Sequence, residues 1–139
     1  AGLVCYYNSS KFHYFYVSRD DAGKHLRVMS AFPDQVSADA FTPAIPIDGN
    51  VPIELRVEVD YDRLLFAYRI ADGAWQWVRQ QFDASILSDE ATAPGLPNFT
   101  GAFVGMACQD LAGTAHPADF DWFEYREREY SPAIGPGSP

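Results

Sequence analysis

The segment VPIELRVEVD, residues 51–60, limits what this chain can fold into more than any other stretch. Ile53, Leu55, Val57 and Val59 alternate with Glu54, Arg56, Glu58 and Asp60. Successive side chains of a strand point to opposite faces, so a period of two describes a sheet with one dry and one wet face. That pattern belongs to antiparallel sheets laid over one side of a core. Tyr61-Asp62 then turns the chain into RLLFAYRI, where Leu64, Phe66, Tyr68 and Ile70 share a face, and Asp72-Gly73 turns it into WQWVRQQF. Three short runs joined by tight turns predict a meander.

The same reading extends in both directions. AGLVCYY is a dense apolar run that reads as a strand from its first residues, and Asn8-Ser9-Ser10 interrupts it. KFHYFYVSR and KHLRVMSAF flank Asp20-Asp21-Ala22-Gly23, a hairpin turn whose Asp and Gly tolerate positive φ. Residues 32–50 are turn-rich, with Pro33, Pro43, Pro46 and Gly49. Beyond the meander, DASILSDE reads as a turn or one helical turn and ATAPGLPN as a loop. TGAFVGMAC reads as a strand in which Gly101 and Gly105 mark a bulge or a close backbone approach. QDLAGTAHPA is a loop, and DFDWFEYRE is the expected final strand. About nine short strands without an amphipathic helix predict an all-β, antiparallel sandwich. The sandwich is expected to span residues 1–129, with Pro/Gly-rich 130–139 as a flexible tail. A chain that opens inside a strand is expected to be part of something larger.

Composition narrows the partners. The 139 residues carry a formal charge of −9 and no Lys/Arg cluster, a surface that phosphate backbones and anionic lipids repel. Nucleic acid and membranes are therefore set aside, and a neutral polysaccharide or another protein is expected. No apolar run reaches the roughly 18 residues of a transmembrane helix. No basic segment followed by an apolar stretch opens the chain, so a cytoplasmic location is expected, with secretion as the alternative.

Candidate chemistry is sparse. His13, His25 and His116 share no metal-ligand spacing, and surface or strand-face positions are expected for them. Glycosidases need paired carboxylates, and Asp110, Asp119, Asp121 and Glu124 are the candidates. Asp119 and Asp121 share a strand face, about 7 Å apart, as a carboxylate pair, as oxygen ligands for Ca²⁺, or simply as a hydrated face. The hydrated face is favoured, because no EF-hand-like spacing accompanies them. Trp75 and Trp77 lie on one strand face and, with Tyr68, could stack on sugar rings, against the alternative that they fill the core. Cys5 and Cys108 sit in apolar, strand-like surroundings and read as buried free thiols, with a mutual disulfide still open. The triplets at Asn8 and Asn98 match glycosylation acceptors only as chance matches would. A complete catalytic site is absent from this reading.

Five stretches together carry a resemblance: AGLVCYYNS, IELRVEVD, FDASILSDE, NFTGAFVGMACQDLAG and PADFDWFEYRE. In this order they resemble the C-terminal concanavalin A-like (lectin-like) domain of family 43 glycoside hydrolases, chiefly β-xylosidases, from residue 1 to about Arg128. The resemblance implies a jelly-roll sandwich packed on a five-bladed propeller that carries the catalytic carboxylates, so no catalytic residue carries over to this chain and no cofactor is implied. It also implies a loop closing the propeller's substrate pocket, with Phe99 at its tip and Asn98 and Thr100 beside it. An apolar ring there excludes water and shortens the pocket, favouring removal of one terminal sugar. The family's sandwich begins well upstream of AGLVCYY, so N-terminal strands are expected to come from elsewhere in the parent protein or from another chain, and a homo-oligomer is conceivable. Three functions follow: a pocket-closing accessory domain in xylan or xylo-oligosaccharide hydrolysis by a β-xylosidase/α-L-arabinofuranosidase; a non-catalytic xylan-binding module; or a structural brace.

Overall fold

In a computed structural model, which describes residues 1–32, 40–91 and 101–127, the chain builds two antiparallel sheets. The larger contains β1 (Gly2–Asn8), β2 (Lys11–Asp20), β3 (Gly23–Ala31), β4 (Ile45–Pro46) and β8 (Phe103–Ala107), in the order β4-β3-β2-β1-β8. The smaller is the predicted meander, β5 (Ile53–Asp60), β6 (Arg63–Ile70) and β7 (Gln76–Asp83), in that order. The hairpin turns fall where the sequence places them, since Asp20 pairs with Gly23 and Asp60 with Arg63. Gly23 adopts φ 117°, a region that suits glycine. DASILSDE supplies a single 3₁₀ turn, Ala84–Leu87, started by Asp83, whose carboxylate accepts from the Ser85 N–H.

The core forms where the inner faces meet. Phe15 of β2 packs on Phe66 of β6 at 5.2 Å between ring centres, and Phe66 meets Phe82 of β7 edge-on at 5.4 Å. Cys5, Tyr7, Leu26, Val28, Ile47, Leu64, Tyr68, Val78 and Leu87 complete the buried cluster. Each large side chain enclosed here contributes about 1.5–3 kcal/mol of hydrophobic stabilisation.

Two expectations are corrected. DFDWFEYRE is described through Glu127 and forms no strand, since no described strand lies beside it to complete a ladder. A strand is defined by its partner, and alternation supplies only half of that definition. The second correction concerns β5, whose alternation promised a buried face. Ile53, Leu55 and Val57 are only half-buried and Val59 is exposed. The cause is position, because β5 is an outer strand among the described residues and space opens beyond its edge.

Candidate functional site

That space is an open cleft of about 1650 Å³. Its floor is apolar and comes from the larger sheet. Leu3 of β1 and Met106 of β8 are register partners, as are Cys5 and Val104, and Leu3, Val104 and Met106 line the cleft together with Val17. One wall is the whole of β5, with residues from both of its faces, and the other is the strand-free segment 118–127. Phe120, Trp122, Phe123 and Tyr125 of that segment are exposed, Trp122 by 61%. Small-molecule pockets usually hold 300–1,000 Å³, so this cleft is roomier than a monosaccharide requires. An apolar floor, an outer strand and a segment with no strand partner among the described residues thus border one open space.

A second feature lies on the outer face of the three-stranded sheet. Register sets it up: Arg56 pairs with Ala67, and Ala67 with Trp77. Ala67 is small, and Arg56 and Trp77 reach across it from either side, leaving it 0% exposed. The Arg56 guanidinium lies 5.6 Å from the Trp75 ring centre and 5.9 Å from that of Trp77. Arg69 approaches Trp75 at 5.1 Å and is held by two bonds to one oxygen of Glu54, its Nε at 2.9 Å. Arg56 is also ion-paired to Glu58. Both arginines are thus fixed over indoles by neighbouring carboxylates.

Other candidates resolve one by one. Trp75 and Trp77 do share a face, but Tyr68 does not belong with them. It is 7% exposed, packs on Phe15 in the core and donates its hydroxyl to Gln76 Oε1 at 2.9 Å. The alternation of β6 turns Tyr68 inward while its neighbours Ala67 and Arg69 turn outward. Asp119 and Asp121 are exposed on the unpaired segment. Among the described residues, no three His, Cys, Asp or Glu side chains gather as metal ligands. Asp110 is a loop anchor: its carboxylate accepts from the backbone N–H of Ala115, which does most to hold its pKa below the usual value, and from that of Ala112. Asn98, Phe99 and Thr100 lie outside the described residues, as does the expected tail 130–139.

One cysteine differs from expectation, whereas the histidines take expected positions: His13 and His25 are buried on strands and His116 is exposed. His13 Nε2 lies 3.0 Å from the Asp83 carbonyl and Nδ1 lies 2.7 Å from Ser30 Oγ. A carbonyl can only accept, so Nε2 carries the proton and Nδ1 accepts from the serine. Cys5 is buried as expected, whereas Cys108 is exposed, and both are free thiols. The strand β8 ends before Cys108, which leaves its side chain outside the sandwich.

Lys11 escaped sequence reasoning altogether. It is fully buried, with Nζ donating to the carbonyls of Ser88 and Ala91, each at 2.8 Å. Tyr7 lies beneath the ammonium and donates to Asp89. The signal was present in the parity of β2, where Lys11 shares its face with His13, Phe15 and Val17.

These two sheets with a shared core define a concanavalin A-like β-sandwich. A family model for the β-xylosidase C-terminal concanavalin A-like domain matches residues 1–126, and the chain belongs to that family. It is 35% identical over 127 residues to a putative β-xylosidase of Escherichia coli, covering 90% of this chain and 24% of that protein. Against the β-xylosidase of Bacillus subtilis identity is 32% over 136 residues, covering 92% of this chain and 24% of the relative. Against xylosidase/arabinosidase 43B of Humicola insolens it is 35% over 133 residues, covering 91% and 24%. Among solved structures, xylan β-1,4-xylosidase from Bacillus halodurans superposes with a TM-score of 0.69 at 27% identity, over 81% of this chain and 22% of that one. The chain therefore spans about a quarter of the length of the relatives it matches.

Proposed function

We propose that this chain is the accessory sandwich of a family 43 β-xylosidase, with α-L-arabinofuranosidase action as a companion activity, in the hydrolysis of xylan or xylo-oligosaccharides. The observation that carries the reading is the open cleft between β5 and segment 118–127. Its apolar floor and exposed aromatic wall suit extended segments of the parent enzyme, which pair with the free edge of β5 and with residues 119–127. The relatives' greater length is consistent with such a partner. On this reading the catalytic carboxylates stand on the parent's propeller, and Phe99, flanked by Asn98 and Thr100, reaches over its substrate pocket. The sandwich then contributes water exclusion and a short pocket rather than a reacting group.

Kinetics of the complete enzyme on an aryl β-xyloside test the proposal. Phe99→Ala is expected to lower kcat/KM about tenfold, a loss of about 1.4 kcal/mol of transition-state stabilisation, with the unfolding temperature unchanged. Equal kinetics in the two proteins would remove the pocket-closing role.

A further inference from the structure

We infer that the outer face of the β5-β6-β7 sheet is a stacking platform for a neutral, linear glycan, centred on Trp75 and Trp77. The observations are the two cross-strand rows. Glu54, Arg69 and Trp75 form one, and Arg56, Ala67 and Trp77 form the next. Trp75 and Trp77 are two residues apart, which puts their Cα atoms about 6.6 Å apart on one face. Arg56 sits between their rings and orders both indoles in advance of any ligand. Trp77 nevertheless remains 47% exposed, a large apolar surface on an otherwise acidic protein.

Charge chooses the ligand class. Glu54 pairs with Arg69 and Glu58 with Arg56, so these four side chains sum to zero in a chain of formal charge −9. A phosphate or uronate would have to compete for arginines already engaged by carboxylates. Glu54, Arg56, Glu58 and Arg69 also border the cleft; parent segments that engage the edge of β5 and the apolar floor leave this outer face wet, whereas a dry protein interface over it would strip water from four charged groups, a cost that ion pairing repays only in part. A sugar chain avoids both penalties. Its C–H faces lie on the indoles, its hydroxyls bond to the rims of the ion pairs, and the charged heads stay wet. The choice of xylose units as the repeating sugar rests on the function proposed above.

Titration of the chain with xylohexaose, followed by tryptophan fluorescence, tests the platform. The molecule has three tryptophans, so Trp122→Phe removes the one outside the platform. The expected result is a saturable change with half-saturation at about 1 mM, retained in Trp122→Phe. Trp77→Ala should weaken it about tenfold or more. Arg56→Met, which keeps both indoles, provides a second variant should Trp77→Ala not fold, and should weaken it about threefold. Absence of saturation in folded protein, equal binding by both platform variants, or protection of Trp77 by a protein partner would each overturn the inference. Because binding is read on the chain itself, a parent enzyme inert on aryl xylosides would sink the accessory-domain reading and leave this titration to be judged alone.

Discussion

The Lys11 ammonium lies 3.8 Å from the centre of the Tyr7 ring, and both side chains are sealed inside the sandwich. Lys11 binds the carbonyls of Ser88 and Ala91 while Tyr7 binds Asp89, so β1 and β2 together hold the strand-free segment that follows β7. Buried charges persist where hydrogen bonds satisfy them, and removing such a group leaves its acceptors stranded. Lys11→Met is expected to cost about 2–4 kcal/mol of folding stability, read as a lower urea midpoint at unchanged slope.

Gly2 makes a second point of close approach. A Cβ built there would lie 2.0 Å from the Phe15 carbonyl oxygen, a backbone atom of the neighbouring strand. Since Gly2 is paired with Tyr16 on one side and Ala107 on the other, relief requires shifting the centre of the larger sheet. Gly2→Ala should destabilise by about 3 kcal/mol, seen as a drop in thermal unfolding temperature. A neutral substitution would mean that β1 and β2 lie farther apart than described.

Burial of His13 lowers its pKa below the ordinary value near 6.5, against smaller opposing contributions from Asp83. As pH falls, the unfolded chain therefore takes up this proton first, and between the two pKa values it binds more protons than the native state. Stability is full above about pH 6.5 and declines as pH drops from there toward the lower native value. The difference in unfolding free energy between wild type and His13→Gln should shrink across that window. A difference independent of pH from 7.5 to 5 would contradict the neutral, buried ring.

The thiols should separate cleanly. Desolvation pushes the Cys5 pKa up to about 12, so almost none of it is thiolate at pH 8, whereas Cys108 is exposed. An aromatic disulfide reagent is expected to titrate Cys108 alone in the native protein and Cys5 only after denaturation. Immediate reaction of both would contradict the buried position of Cys5.

Legibility in the sequence followed the kind of information each feature needs. The meander and the first hairpin were readable because alternation and turn chemistry are local, and β5 through β7 form as expected. Alternation also tells which residues share a face, but not whether anything covers it. That is why Ile53, Leu55 and Val57 promised a buried face and Phe120, Trp122 and Phe123 a strand, while the structure leaves both bordering an open cleft. Cross-strand register is equally non-local: only the pairing of Ala67 with Trp77 separates Tyr68 from the two tryptophans. Lys11 was overlooked because a lysine inside an apolar strand is ordinarily expected to face water, and its carbonyl partners lie 77 and 80 residues away.

The accessory-domain account rests on the cleft, and amide hydrogen exchange reads the cleft directly. Exchange should be followed for Ile53–Asp60 and for residues 119–127, in this chain alone and in the complete parent protein. The expected result is that both segments slow by about 100-fold or more in the complete protein, because added strands occupy the outer edge of β5 and pair with residues 119–127. Unchanged exchange at both segments would contradict it.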